Sequence, residues 1–342
     1  MEKHLKKQCH QGEVNFVELC KIAENLLASN IGSNEFHLEL EKFLIVNFTN
    51  ENQQDVVDLI KGLSLYRVQL EELNHLLYGF INTNLERFSI KQLEVILWSL
   101  SRKHMAHHPE GRQKAKIDEM EDYQRKVLQA LVDRIKTKSP SMRPRGVAFA
   151  IEAFANLGYK DEELFKRMER VTLAKLDEFI PHYTVKVLSA YYSSGFGSGE
   201  LYDQLINHVM EAMRTPGSLK YSDMLRFFEI YPEVTYIYDN TMSSELYNSF
   251  VETVRVLIKD KKFPTEDVCR VFNILIRISP YFDPVAPSPD HQKFLQELVG
   301  RIRHSVNDIP KEHFTRTMAN MTEFQQPLIA TKFTNILKEI IR

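Results

Sequence analysis

Four cationic side chains recur at similar intervals in the second half of the chain. They are Lys186, Arg226, Arg270 and Arg316. If each occupies the same place in a repeated unit, the four form a row that could follow the phosphate backbone of a nucleic acid. The alternative is pairing within each helix, because Asp267 precedes Arg270 by three residues and Glu229 follows Arg226 by three.

A second group of cations is concentrated in a short segment of the middle of the chain. Its members are Arg134, Lys136, Lys138, Arg143 and Arg145. Fewer acids lie close to this group in sequence than to the row. Such a cluster could contact either RNA or an acidic protein.

Residues that could carry catalysis or bind a cofactor are weakly represented. His104, His107 and His108 could chelate a metal, but Pro109 and Gly111 favour a surface loop, and no Cys or carboxylate stands at a useful spacing. The sequence contains no phosphate-binding glycine loop, nucleophile elbow or His-Glu-x-x-His motif. We therefore expect a protein that is not an enzyme and that needs no cofactor or metal.

Four aromatic residues fall outside the apolar repeat pattern, in segments that contain proline. They are Tyr236, Tyr238, Tyr281 and Phe282. Exposed aromatic side chains in loops are typical of protein–protein contacts. We expect a partner protein to contact them.

The elements that position these residues are predicted by a repeated apolar pattern. In the segment from Val147 to Phe154 the apolar residues stand at offsets 0, 3, 4 and 7, which is one face of an α-helix. A second helix follows, with Leu164, Met168 and Thr172 at offsets 0, 4 and 8. The same pair returns 37 residues later, beginning at Thr184. The four cations of the row all stand at offset 2 of a first helix.

The template extends in both directions and predicts an all-α fold, an α-solenoid of about eight helix-turn-helix repeats of ~37 residues. The eight first helices begin their apolar face at Leu19, Val56, Leu93, Val147, Thr184, Met224, Val268 and Phe314. A single array over residues 1–342 is expected, with a long insertion loop at 104–120 and a Pro-rich loop at 279–290. Tyr231–Tyr238 is expected to be another Pro-containing connection.

Composition and charge limit the possible functions. Hydrophobic residues make up 43% of the chain and charged residues 26%, which is typical of a globular protein. The net charge of −2 gives no overall attraction to nucleic acid. No apolar run is long enough to span a membrane, and the first residues show no clear presequence. Three widely spaced cysteines indicate a reducing compartment.

The turn between the two helices of the fourth repeat resembles a known family. Residues 150–159 read AIEAFANLGY, and residues 161–165 read DEELF. These phrases resemble heptatricopeptide and octotricopeptide repeat proteins, and the helical region of Fas-activated serine/threonine kinase-like and RAP-domain mitochondrial proteins. The resemblance is strongest over residues 93–209. It implies a mitochondrial location and either RNA binding or a place in a large organellar assembly.

The sequence favours one of these two functions. No RAP domain is evident, because the helical template continues to Leu337, and the near-neutral charge is unlike that of a dedicated RNA binder. We expect a non-catalytic scaffold that contacts other protein subunits of a mitochondrial ribosome or respiratory-chain complex. The alternative is an organellar factor that holds single-stranded RNA on the repeat surface.

Overall fold

The computed structural model describes residues 16–28, 32–48, 53–65, 70–106, 120–215, 217–238, 244–259, 263–278, 293–294, 297–298 and 300–302. Over these residues the fold is all-α, without strands. The α-helices are α1 Phe16–Ala28, α2 Asn34–Val46, α3 Gln53–Leu65, α4 Glu71–Asn84, α5 Ile90–Ala106, α6 Asp122–Lys138, α7 Pro144–Asn156, α8 Glu162–Ala174, α9 Pro181–Ser194, α10 Gly199–Met213, α11 Tyr221–Tyr238, α12 Ser244–Lys259 and α13 Thr265–Ile278. The odd-numbered helices are the predicted first helices, and the even-numbered ones are the second helices.

The apolar offsets that predicted the helices are the positions that the fold buries. Ile151, Leu188 and Phe228 occupy equivalent positions of α7, α9 and α11, and each is 0% exposed. In α8 the Thr172 hydroxyl, also buried, donates to the Met168 carbonyl, so a polar member of the pattern is satisfied within its own helix. The prediction that these faces are buried is confirmed for α7, α9 and α11.

Glycine ends the helix where the repeat pattern predicted a turn. Gly195 follows α9 with φ +75, in the left-handed region, and its N–H donates to the Tyr191 carbonyl at 3.0 Å. A side chain with a Cβ rarely adopts that conformation. Gly158 has φ +65 at the matching place after α7. In both places a glycine in the left-handed region follows a first helix.

Contacts divide the chain into two compact units, residues 1–201 and 202–342. In the first unit the helices form two layers. In one layer α1 packs on α3, α3 on α5, α5 on α7 and α7 on α9; in the other, α2 packs on α4, α4 on α6 and α6 on α8. Each hairpin thus covers the apolar face of the preceding one.

In the second unit α11 packs on α13, and Phe228 of α11 lies 4.1 Å, centroid to centroid, from Phe250 of α12. Phe294, Leu298 and Ile302 are helical and buried, as the template predicted for the seventh repeat. The predicted eighth repeat lies outside the described residues.

One predicted connection is helical, and a second begins with three helical residues. The segment Tyr231–Tyr238 continues α11 through Pro232, so the prediction of a loop there was wrong. Burial explains the difference, because Pro232 and Val234 are both in the interior and their packing offsets the backbone hydrogen bond that proline cannot make. Likewise α5 runs to Ala106, three residues into the predicted insertion loop. Residues 107–119 and 279–292 lie outside the described residues.

Candidate functional site

Two members of the predicted row of cations, Lys186 and Arg270, form ion pairs between helices. Lys186 of α9 donates from Nζ to Oε2 of Glu152 on α7 at 2.6 Å. The two side chains are only 16% and 14% exposed. Because the pair is largely withdrawn from water, the lysine charge is neutralised in place and is not presented to a ligand.

Arg270 makes a stronger version of the same contact. Its Nε and Nη2 donate to the two carboxylate oxygens of Glu229 on α11 at 2.8 and 3.1 Å, and its Nη1 donates to Asp267 at 2.9 Å. Burial acts to lower the pKa of Arg270, but hydrogen bonds with Glu229 and Asp267 raise it further than burial lowers it. The expected pairing with Asp267 is therefore present, and Glu229 of the preceding first helix adds a bidentate partner.

The two ion pairs between helices connect the same two positions of the repeat pattern. Glu152 and Glu229 both stand at offset 5 of a first helix, and Lys186 and Arg270 both stand at offset 2 of the next first helix. Lys61 of α3 similarly joins Glu24 of α1 at 2.6 Å, although both residues stand at offset 5. Of the remaining row members, Arg226 is half-buried on α11 and Arg316 lies outside the described residues.

The second cationic group separates into paired and exposed members. Arg134 binds Glu86 at 2.7 Å, and Lys136 binds Asp161 at 2.8 Å and Glu163 at 3.1 Å. These pairs connect α6 to the 3₁₀ turn after α4 and to α8. The exposed members are Lys138, Arg143 and Arg145.

The ion pair of Lys136 can be tested by changing its partner Asp161. Asp161 caps α8 by accepting from the Leu164 N–H at 2.9 Å and also binds Lys136. Burial acts to raise its pKa, but the Lys136 and Leu164 hydrogen bonds hold that pKa below its ordinary value.

Asp161→Asn, which keeps the cap but not the charge, should therefore destabilise the protein at neutral pH. That loss should disappear as pH falls from about 4 through the native-state pKa, since the wild-type carboxylate is then protonated too. Asp161→Ala should cost ~1 kcal/mol more at either pH, because it also removes the cap. Urea unfolding of both variants at neutral pH and at about pH 3 checks this. An equal loss for Asp161→Asn at both pH values would contradict it.

The exposed Arg145 lies beside an aromatic side chain of its own helix. Its guanidinium carbon is 5.4 Å from the ring centroid of Phe149, one turn further along α7. Lys186 Nζ of α9 is 5.1 Å from the same centroid, and the Tyr183 ring is 6.2 Å away. Two cations therefore already use the π system of Phe149.

A partly buried acidic side chain lies near the exposed cations. Glu94 of α5 faces the start of α7, where a Cβ at Gly146 would collide with its carboxylate. Burial raises the pKa of Glu94, while Arg145, Lys91 and Arg143 act to lower it. All three cations are exposed, and none has an ion-pair partner among the described residues. We refer to Lys91, Arg143 and Arg145 as the basic corner.

Sequence reasoning missed Lys91 and Glu94. Both stand on α5, about 50 residues before Arg143, and only the packing of α5 on α7 brings them to the basic corner. The signal that could have found them is Gly146, a helical glycine whose missing side chain makes room for the Glu94 carboxylate.

The predicted protein-contact residues are only partly described. Tyr236 and Tyr238 belong to α11 and not to a loop, while Tyr281 and Phe282 lie outside the described residues, as do His107 and His108. Among the described residues no three His, Cys, Asp or Glu side chains are grouped so that they could hold a metal ion. Within that part of the chain no helix is long and apolar enough to cross a bilayer.

Fold and site together define an all-α protein in which ion pairs join α1 to α3, α7 to α9 and α11 to α13, and in which the basic corner is exposed. No protein-family model matches the chain, and no curated protein matches it either.

Proposed function

We propose that the protein is a non-catalytic α-solenoid of about eight helix-turn-helix repeats and serves as a scaffold subunit of a large mitochondrial assembly, such as a ribosome or a respiratory-chain complex. The two-layer stacking of hairpins in the first unit supports the repeat architecture. The mitochondrial location rests on the resemblance of residues 150–165 to mitochondrial repeat proteins.

The ion pairs made by the offset-2 cations are the main reason to propose a scaffold and not an RNA-binding factor. Lys186 and Arg270 are held by Glu152 and Glu229, so they stabilise the stacking of helices. A phosphate-binding groove would need those charges to be available along the array. The second candidate is an RNA-binding factor, for which the exposed Lys138, Arg143 and Arg145 supply available charge over one short stretch only.

Native purification of the tagged full-length chain from mitochondria tests the proposal. We expect it to migrate with a megadalton assembly and to stay bound to protein subunits after nuclease treatment. A chain that migrates alone would overturn the scaffold. Release of the chain by nuclease, together with nanomolar binding of a defined RNA by the purified protein at physiological salt, would establish the RNA-binding candidate instead.

A further inference from the structure

We propose that the basic corner docks an acidic segment of a partner protein, whose Asp or Glu carboxylates bind Arg143 and Arg145. This inference rests on the proposed scaffold function and names one contact that the scaffold makes. Its basis is an excess of positive charge. Lys91, Arg143 and Arg145 are exposed and have no ion-pair partner among the described residues, and Glu94, the acid beside the start of α7, is partly buried.

Arg145 is prepared for such a contact. The contact with Phe149 holds its guanidinium over the ring, and its N–H groups make no hydrogen bond within the described part of the chain. A guanidinium held in this way loses less conformational entropy when it binds, and its donor edges match the two oxygens of a carboxylate. Arg143, two residues earlier and also exposed, supplies a second donor group.

The surroundings favour carboxylates over a nucleic acid. A bound base would need a free aromatic face, but Arg145 and Lys186 already lie over Phe149. A phosphate backbone would also need further cations beyond the corner. The nearby cation Lys186, on α9, is already neutralised by Glu152. Three cations in one place match a short acidic segment and not an extended strand.

The proposal predicts binding by the purified full-length chain to a fluorescein-labelled hexaglutamate peptide, followed by fluorescence anisotropy at low salt. The double variant Arg143→Glu/Arg145→Glu should weaken this binding at least about tenfold, because charge-assisted hydrogen bonds are lost. Lys126→Glu/Arg170→Glu is the matched control. It makes the same change in net charge at exposed residues of α6 and α8 and should stay within about twofold of wild type.

Further variants separate geometry from charge and from folding. Arg143→Lys/Arg145→Lys keeps both charges but not the bidentate fork, so its affinity should fall between those of wild type and the Glu variant. Phe149→Leu should also weaken binding, because Arg145 is no longer held. Unchanged circular dichroism and melting temperature of the Glu variant will show that the fold is retained.

Several outcomes would overturn the proposal. One is that the wild-type chain does not bind hexaglutamate at low salt. Another is that the control variant loses as much affinity for hexaglutamate as the Glu variant does. A third is that the wild-type chain binds a labelled oligouridylate more tightly than hexaglutamate and that the Glu variant abolishes this binding. Oligouridylate binding would also show a steep salt dependence, with log K falling by ~0.7 per phosphate contacted for each tenfold rise in salt. Self-association that the Glu variant abolishes would identify a second copy of the chain as the occupant. If the Glu variant binds no peptide and the wild-type chain migrates with a nuclease-resistant assembly, both the docking proposal and the scaffold proposal are supported. If the Glu variant binds the peptide as well as wild type does, only the docking proposal is overturned.

Discussion

Phe228→Ala is expected to lower the free energy of unfolding of the second unit by about 3–5 kcal/mol. The Phe228 side chain is 0% exposed, and its ring centroid lies 4.1 Å from that of Phe250 and 5.2 Å from that of Phe227. Truncation removes these contacts and leaves a cavity between α11 and α12 that rigid helices fill only in part.

Chemical unfolding followed by far-ultraviolet circular dichroism measures the loss. The control is Tyr221→Ala at the start of the same helix, where the side chain is 38% exposed and the cost should be clearly smaller. A loss below about 1 kcal/mol for Phe228→Ala would mean that this ring is not part of a packed core.

Arg270→Met is expected to cost about 2–3 kcal/mol, somewhat less than the ~3–5 kcal/mol typical when one partner of a fully buried ion pair is removed. The lower figure follows from the 23% exposure of the Arg270 side chain. Methionine keeps much of the apolar stem but leaves Asp267, which is 8% exposed, and Glu229 without this partner.

A double-mutant cycle isolates the contact between helices. Glu229→Gln alone should destabilise the protein, and its effect should be much smaller when Arg270 is already Met, since the two residues act as a unit. Additive losses would contradict the pairing. Lys61→Met is a useful comparison, because the Lys61 side chain that pairs with Glu24 is 46% exposed. This more exposed ion pair should contribute less than about 1 kcal/mol to stability.

The helices could be predicted from sequence because their apolar periodicity is local information. Val147, Ala150, Ile151 and Phe154 identify both the helix and its buried face. Pro232, in contrast, led to the wrong prediction of a loop at Tyr231–Tyr238. The usual cost of a proline within a helix is a local rule, whereas the burial of its neighbours Tyr231 and Val234 depends on how α11 packs.

The site was less accessible to sequence reasoning. The row of offset-2 cations is visible in the sequence. The spacing within one helix predicts the pairing of Arg270 with Asp267, but it does not predict the bidentate pairing of Arg270 with Glu229. Finding Glu152 and Glu229 requires the offset at which one first helix stacks on the next. That offset is a property of tertiary packing, and a single sequence does not contain it in a directly readable form.

The stacking of neighbouring hairpins also affects how the first unit folds. The Glu24–Lys61 and Glu152–Lys186 contacts span 37 and 34 residues, so the distance in sequence between contacting residues is set by the hairpin spacing and not by the chain length. Such low contact order favours fast folding. Each hairpin can therefore be added to the finished edge of the one before it, so the first unit can form stepwise along the chain.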